Sequence, residues 1–194
     1  MNSLIMNYKL LCILFLSGCA LVPGSYKVAF DAVSNSFRKP DNSLLEEYSR
    51  NLEYSNILVT TNNSSSVLVL ETSINNINTY VSRDGIRLKF DGIKLIESSG
   101  LLNDIMITNF NYEKFLSRVQ TNYYVSQSNP KLSFEEANIS YQFNGESFIL
   151  EETVYFSEIH LTYKNLYFLN SAGTIFRSIQ HVSPKSSLDI QFFN

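Results

Sequence analysis

From Tyr54 to the C-terminus, apolar and polar residues trade places with a period of two, the spacing of strands with one dry and one wet face. Ile57–Thr60 and Val67–Leu70 are β-rich runs separated by the turn cluster Asn62-Asn63-Ser64-Ser65. Thr79-Tyr80-Val81 leads into Arg83-Asp84-Gly85, after which Ile86, Leu88 and Phe90 alternate with Arg87 and Lys89. Asp91-Gly92 follows and Ile93–Ile96 returns, which predicts a hairpin with positive φ at both loop positions. A second hairpin is expected from Ile139–Phe143, Asn144-Gly145 and Phe148–Phe156. Leu161–Leu169, Thr174–Val182 and Leu188–Phe193 add three more strands.

Helical spacing is confined to three places. Tyr26, Phe30, Val33 and Phe37 predict an amphipathic helix that ends near Arg38, before Pro40. Ser43 and Glu46 form a capping-box pair opening a second helix over 43–52, with Leu44, Leu45 and Tyr48 inward. Tyr112, Phe115, Leu116 and Val119 predict one short helix within 111–118. The aromatic stripes of the first two helices read as core or docking surface. A membrane-lying helix is the alternative, weakened by Asp31. The pattern predicts a mainly β, single domain over residues 26–194. It should be a curved antiparallel sheet of about 10–11 strands with one or two N-terminal helices.

The one long apolar run precedes all of this. Leu10–Leu16 follows Lys9 and ends in Leu16-Ser17-Gly18-Cys19, the layout of a secretory signal peptide over residues 1–18. A bilayer span needs roughly 20 apolar residues, so this run is too short to be one. Residues 19–25 read as a tether. The tetrapeptide resembles the bacterial lipobox, which implies that Cys19 is lipidated and becomes the first mature residue. Met6 is an alternative start. One acyl chain holds a protein to a membrane marginally and two or more hold it stably, at about 0.8 kcal/mol per buried methylene. By the same resemblance, Ala20 in place of an aspartate after the cysteine implies the periplasmic leaflet of the outer membrane.

Composition narrows the remainder. Cys12 and Cys19 are the only cysteines, so no disulfide is available to the mature chain and its apolar core must hold it. The net charge is −3, with no basic cluster, which argues against nucleic acid as a partner. There are 12 Tyr and 14 Phe but no Trp, a richness that suits strands first and ligand stacking second.

Candidate chemistry is sparse. His160 and His181 fall on separate predicted strands, with no metal-binding spacing and no cysteine cluster beside them. Glu158 and His160, two apart, would share one strand face as a surface pair. No serine lies in a nucleophile elbow. The acidic pairs Glu46-Glu47, Glu135-Glu136 and Glu151-Glu152 are adjacent, and adjacent residues diverge in helices and strands alike, so no pair straddles a glycosidic bond. The 7 glycines are spread singly and build no phosphate loop. No metal or other cofactor is expected, and no enzyme. A polysaccharide-modifying enzyme, the alternative, would need Glu158, His160 and Arg177 within about 10 Å of one another.

The ordered set of strand features nevertheless resembles a known family. Tyr54-Ser55 precedes a β-run; Tyr80-Val81-Ser82-Arg83-Asp84-Gly85, Asp91-Gly92-Ile93-Lys94-Leu95 and Gly100-Leu101 follow in turn. Tyr163–Leu169, Gly173, Arg177-Ser178-Ile179-Gln180 and Pro184 complete the series. Together these resemble the YjbF/GfcB-type lipoproteins of capsule and exopolysaccharide operons, over about 25–193 of the chain. The resemblance implies an outer-membrane lipoprotein that supports making or exporting surface polysaccharide. It also implies partners among the other envelope proteins of such an operon, no secure activity or cofactor, and a mainly antiparallel β fold.

Tyr80, Tyr163 and Tyr167 stand where the family keeps large aromatics. With Arg83, Arg177 and Gln180 they are the candidates for glycan or partner contacts, the alternative being that the rings are core. A lipid-carrying half-barrel is a further reading. It predicts a large apolar cavity, whereas glycan binding predicts a surface groove lined by aromatic and polar groups.

Overall fold

Period-two alternation becomes a sheet that meets itself. The computed structural model describes residues 42–62, 64–128 and 132–193. The predicted signal peptide, Cys19, the tether and the predicted helix ending near Arg38 lie outside these. Helix α1 (Asn42–Arg50) is followed by β1 (Asn56–Thr60), β2 (Ser65–Ile74), β3 (Ile77–Val81), β4 (Arg87–Asp91), β5 (Lys94–Ser99) and β6 (Ile105–Thr108). Then come helix α2 (Tyr112–Leu116), β7 (Thr121–Gln127), β8 (Leu132–Asn144), β9 (Ile149–Phe156), β10 (Leu161–Leu169), β11 (Ile175–Ser183) and β12 (Ser186–Phe193). Every strand pairs antiparallel with its neighbours in sequence, and β12 pairs with β1 from Asn56↔Phe193 to Thr60↔Asp189. The expected curved sheet is therefore a closed barrel. It includes β6 and β7, which the sequence pattern passes over.

Turn chemistry sets the register. Asn75 and Asn76 both take positive φ (49° and 68°) between the paired Ile74 and Ile77, the two-residue hairpin geometry that favours Asn. The expected Asp91-Gly92 turn is shifted by one. Asp91 pairs with Lys94, so the loop is Gly92-Ile93, and of these only Gly92 (φ 59°) is left-handed. Glycine is required there twice over, because a Cβ at this position would run into the ring of Tyr112. Asn144-Gly145 opens a longer loop, with Phe148 at φ 51° before β9.

The dry face is the inside. Leu68, Leu88, Phe90, Tyr123, Val125, Ile139, Val154, Phe156 and Ile190 belong to one continuous buried cluster in the lumen. The outer face carries the ion pairs Arg87–Glu71, Lys89–Glu97, Lys164–Glu151 and Arg177–Asp189. This polarity is the reverse of a membrane-spanning barrel, whose outer band is apolar.

Strand β1 is buried on both faces because α1 lies along its outside. Asn42 accepts a hydrogen bond from Ser65 at one end of α1 (2.8 Å), and the Ser49 carbonyl accepts from Asn56 at the other (3.0 Å). Glu46 accepts from Gln191 (3.1 Å). The helix begins ahead of Ser43, so Ser43 lies inside it rather than at its cap. Leu44 and Tyr48, expected inward, are exposed, because the turn facing β1 is the one bearing Ser49.

Helix α2 sits where β4, β8 and β10 finish. Asn111 caps it by accepting from the Lys114 amide (2.9 Å). Its Phe115 is fully buried, with ring contacts to Tyr167 (5.1 Å), Tyr141 (5.6 Å), Tyr112 (5.9 Å) and Phe110 (6.0 Å). Each such pair is worth about 0.5–1.5 kcal/mol beyond the area buried. These residues form a second cluster with Leu150, Leu169 and Ile175 that closes this end of the barrel.

Candidate functional site

Between the two clusters lies a charged layer inside the lumen. Strand β9 turns Leu150, Glu152, Val154 and Phe156 inward, so period two alone carries a carboxylate into the core. β10 likewise turns Tyr163, Asn165 and Tyr167 inward, and β11 contributes Ser178 and Gln180. Lys94 enters from the tip of the β4–β5 hairpin.

Glu152, whose side chain is 0% exposed, pairs with Lys94 (2% exposed) at 2.5 Å. It also accepts from Asn165 Nδ2 (2.6 Å), Tyr167 Oη (3.0 Å) and Tyr123 Oη (3.4 Å). Lys94 donates in turn to Tyr123 Oη (3.2 Å) and lies 5.3 Å from the centre of that ring. Gln180 reaches across the lumen to the hairpin tip, accepting from the Leu95 amide and donating to the Ile93 carbonyl, both at 2.9 Å.

Two charges withdrawn from water are tolerated only when well paired and hydrogen-bonded. Here the geometry meets that condition. Burial pushes the Lys94 ammonium below the ordinary lysine range, while Glu152 pulls it back. Burial first, and then the Glu152 charge, hold Tyr123, Tyr163 and Tyr167 well above the usual phenol range. A carboxylate offers about four acceptor positions, and four donors already address this one. The layer therefore fastens β5, β7, β9, β10 and β11 to one another across the lumen. The sequence signal for it was available, since Glu152 shares a strand face with Leu150, Val154 and Phe156.

The residues singled out from sequence divide by face and by barrel end. Tyr80, Tyr163, Tyr167 and Gln180 are all buried in the lumen. The three rings expected as a glycan platform are thus core, because they occupy the inward positions of β3 and β10. Arg83 is exposed in the β3–β4 turn, at the end of the barrel away from α2. Arg177 is on the outer face of β11, within reach of the Glu46 charge on α1. It grips Asp189 with two hydrogen bonds (2.8 and 2.5 Å), lies 5.1 Å from the Phe168 ring, and is held above its ordinary range mainly by the Asp189 bonds.

Glu158 and His160 lie in the β9–β10 turn rather than on a strand, and His160 has φ 50°. Arg177 pairs with Phe168 at the opposite end of β10. At about 3.3 Å per residue, seven steps of β10 place His160 and Arg177 more than about 20 Å apart. The acid–base trio does not converge. Nor is the sheet a half-barrel around an apolar hollow: it closes, and core side chains fill its interior.

A family model described as group 4 capsule polysaccharide lipoprotein, GfcB/YjbF, matches residues 29–193. Among solved structures, the fold is similar to that of the hypothetical lipoprotein YmcC from Escherichia coli (K12). The TM-score is 0.63 at 17% identity, covering 79% of this chain and 90% of that one. No curated protein matches the sequence.

Proposed function

Because the chain belongs to the family of group 4 capsule polysaccharide lipoproteins, we propose that it serves capsule or exopolysaccharide production or export as a non-catalytic assembly or binding factor. Acylated at Cys19, it sits on the periplasmic leaflet of the outer membrane, with the barrel presented to other envelope proteins of the same operon and to the passing polymer. The observation that carries this reading is the lumen filled by core side chains. With core side chains filling the lumen and Phe115 closing one end, contacts fall to the outer face and the loops. The scatter of Glu158, His160 and Arg177 supports a binding role over an acid–base one.

Deletion of the gene, with complementation by wild type or Cys19→Ser, tests the proposal. Wild type is expected to restore surface polysaccharide and to fractionate with the outer membrane carrying labelled palmitate. Cys19→Ser is expected to do neither. Normal capsule in the deletion strain, or an unmodified N-terminal peptide in the purified native protein, overturns it.

A further inference from the structure

The exposed apolar side chains of the barrel are spread unevenly between its two ends. Five connections at the end closed by α2 present them. They are Tyr54 ahead of β1, Ile74 at the β2–β3 turn, Leu116 and Val119 behind α2, Phe148 ahead of β9, and Phe176 at the bulge opening β11. These side chains are 45% to 70% exposed. Among the described residues, the connections at the opposite end present Leu102 and Ile159. Single exposed hydrophobes are normal, but their concentration on one face marks an interaction surface.

Phe148 adds a second observation. Its φ of 51° is one that bulky aromatic residues rarely adopt, and such outliers persist where the surroundings hold them. Its carbonyl accepts from the Leu169 amide (2.9 Å), and Asn144 Oδ1 accepts from the Glu146 and Ser147 amides (3.0 and 3.3 Å). The loop thus keeps an aromatic ring half in water.

The layout of the rim selects its partner. The β2–β3 and β8–β9 connections lie half a circuit apart in a twelve-strand barrel, which is on the order of 20 Å across. A polymer strand or a small protein would engage one side of such a rim. A flat lipid surface meets every tip at once, and aromatic and aliphatic side chains enter the boundary between headgroups and acyl chains. Arg50, Lys114 and Arg118 stand at this end with Glu53, Glu113 and Glu146, so charges of both signs leave the attraction to apolar contact. The anchor can reach the same surface. Residues 20–41 extend up to about 70 Å, against about 26 Å for the eight residues of β9.

We propose that the α2 end of the barrel rests on the lipid surface that holds the acyl anchor. Ile74, Leu116 and Phe148 dip past the headgroups, and the opposite end faces the periplasm. The proposal rests on the acylated reading above and deepens it by fixing which way the barrel faces.

The test uses the full acylated protein on vesicles of phosphatidylethanolamine and phosphatidylglycerol, a fraction of them with brominated acyl chains. The natural cysteines are Cys12, lost with the signal peptide, and Cys19, which is acylated, so an introduced thiol is unique. An environment-sensitive dye is attached at Ile74→Cys, Leu116→Cys or, as the reference, Leu102→Cys. All three positions are exposed, and native circular dichroism verifies each fold. Brominated lipid is expected to quench the Ile74 and Leu116 labels at least about twofold more than the Leu102 label, since docked side chains sit about 5–10 Å into the interface. Leu116→Asp with Phe148→Asp should bring the Ile74 label down to the Leu102 level while the protein still floats with the vesicles. Equal quenching of all three labels on floated protein overturns the docking and leaves the anchor standing. Rim labels shielded in intact envelopes but not on vesicles assign this end to a protein partner and overturn it equally. Protein that does not float overturns the anchored reading, and this inference with it.

Discussion

Exchange of Glu152 for Gln removes the negative half of the lumenal pair and keeps its shape. Lys94 is then left 2% exposed, with an amide where its counter-ion stood. Breaking a buried pair by removing one partner costs about 3–5 kcal/mol, and the structure sets an independent ceiling. The folded variant can always shed the Lys94 proton. From the ordinary value of 10.5, that costs about 5 kcal/mol at pH 7, at 1.36 kcal/mol per unit. The loss at pH 7 is therefore expected at about 4 kcal/mol.

Its pH dependence identifies the cause. In the variant, the folded lysine titrates far below 10.5, so between those values the unfolded state holds the extra proton and stability rises with pH. The deficit should shrink by about 1.4 kcal/mol per unit from neutral pH towards pH 10. Urea denaturation followed by far-UV circular dichroism at pH 7 and pH 9 measures it. Lys94→Met with Glu152→Leu removes both charges and should recover most of the loss. A deficit below about 1 kcal/mol, a deficit independent of pH, or a double variant no better than Glu152→Gln would refute the buried-charge account.

Two further outcomes follow from the same interior. Tyr123, Tyr163 and Tyr167 have folded-state values raised by burial, so their contribution is fully present below pH 10 and is lost above it. Three such groups give a slope of about 4 kcal/mol per pH unit, which should appear as alkaline unfolding with a concerted rise in absorbance at 295 nm. Ionisation of all tyrosines near pH 10 in a chain with native circular dichroism contradicts this. Gly92→Ala forces a side chain into the left-handed region and onto Tyr112, and should cost at least about 1–2 kcal/mol. Adding Tyr112→Ala should relieve only the collision, and an unchanged melting temperature in Gly92→Ala would count against the turn geometry.

Local patterning carried most of the strands. Leu150–Phe156 and Leu161–Leu169 alternate cleanly, and both short helices emerge close to their expected limits. Strand β6 has four residues, and in β7 the adjacent Tyr123 and Tyr124 blur the period, so neither stood out. Closure could not be read locally, because Asn56 and Phe193 are joined only by the whole intervening chain. The candidate tyrosines failed for a different reason. Alternation shows that Tyr163 and Tyr167 share a face opposite Lys164, but large aromatics suit a ligand platform and a core equally until the lumen is seen.

The β1–β12 seam has a consequence for biogenesis. A polypeptide threading across a membrane from its N-terminus delivers β1 well before its mate β12, so the barrel stays unzipped until β12 emerges. A chain truncated before Ser186 would leave bare backbone on β1 and β11 together, two sticky margins inviting strand addition from a sister molecule. Strand β12 thus acts as the clasp, and its arrival after β1–β11 defines the interval in which a chaperone of the envelope has most to protect.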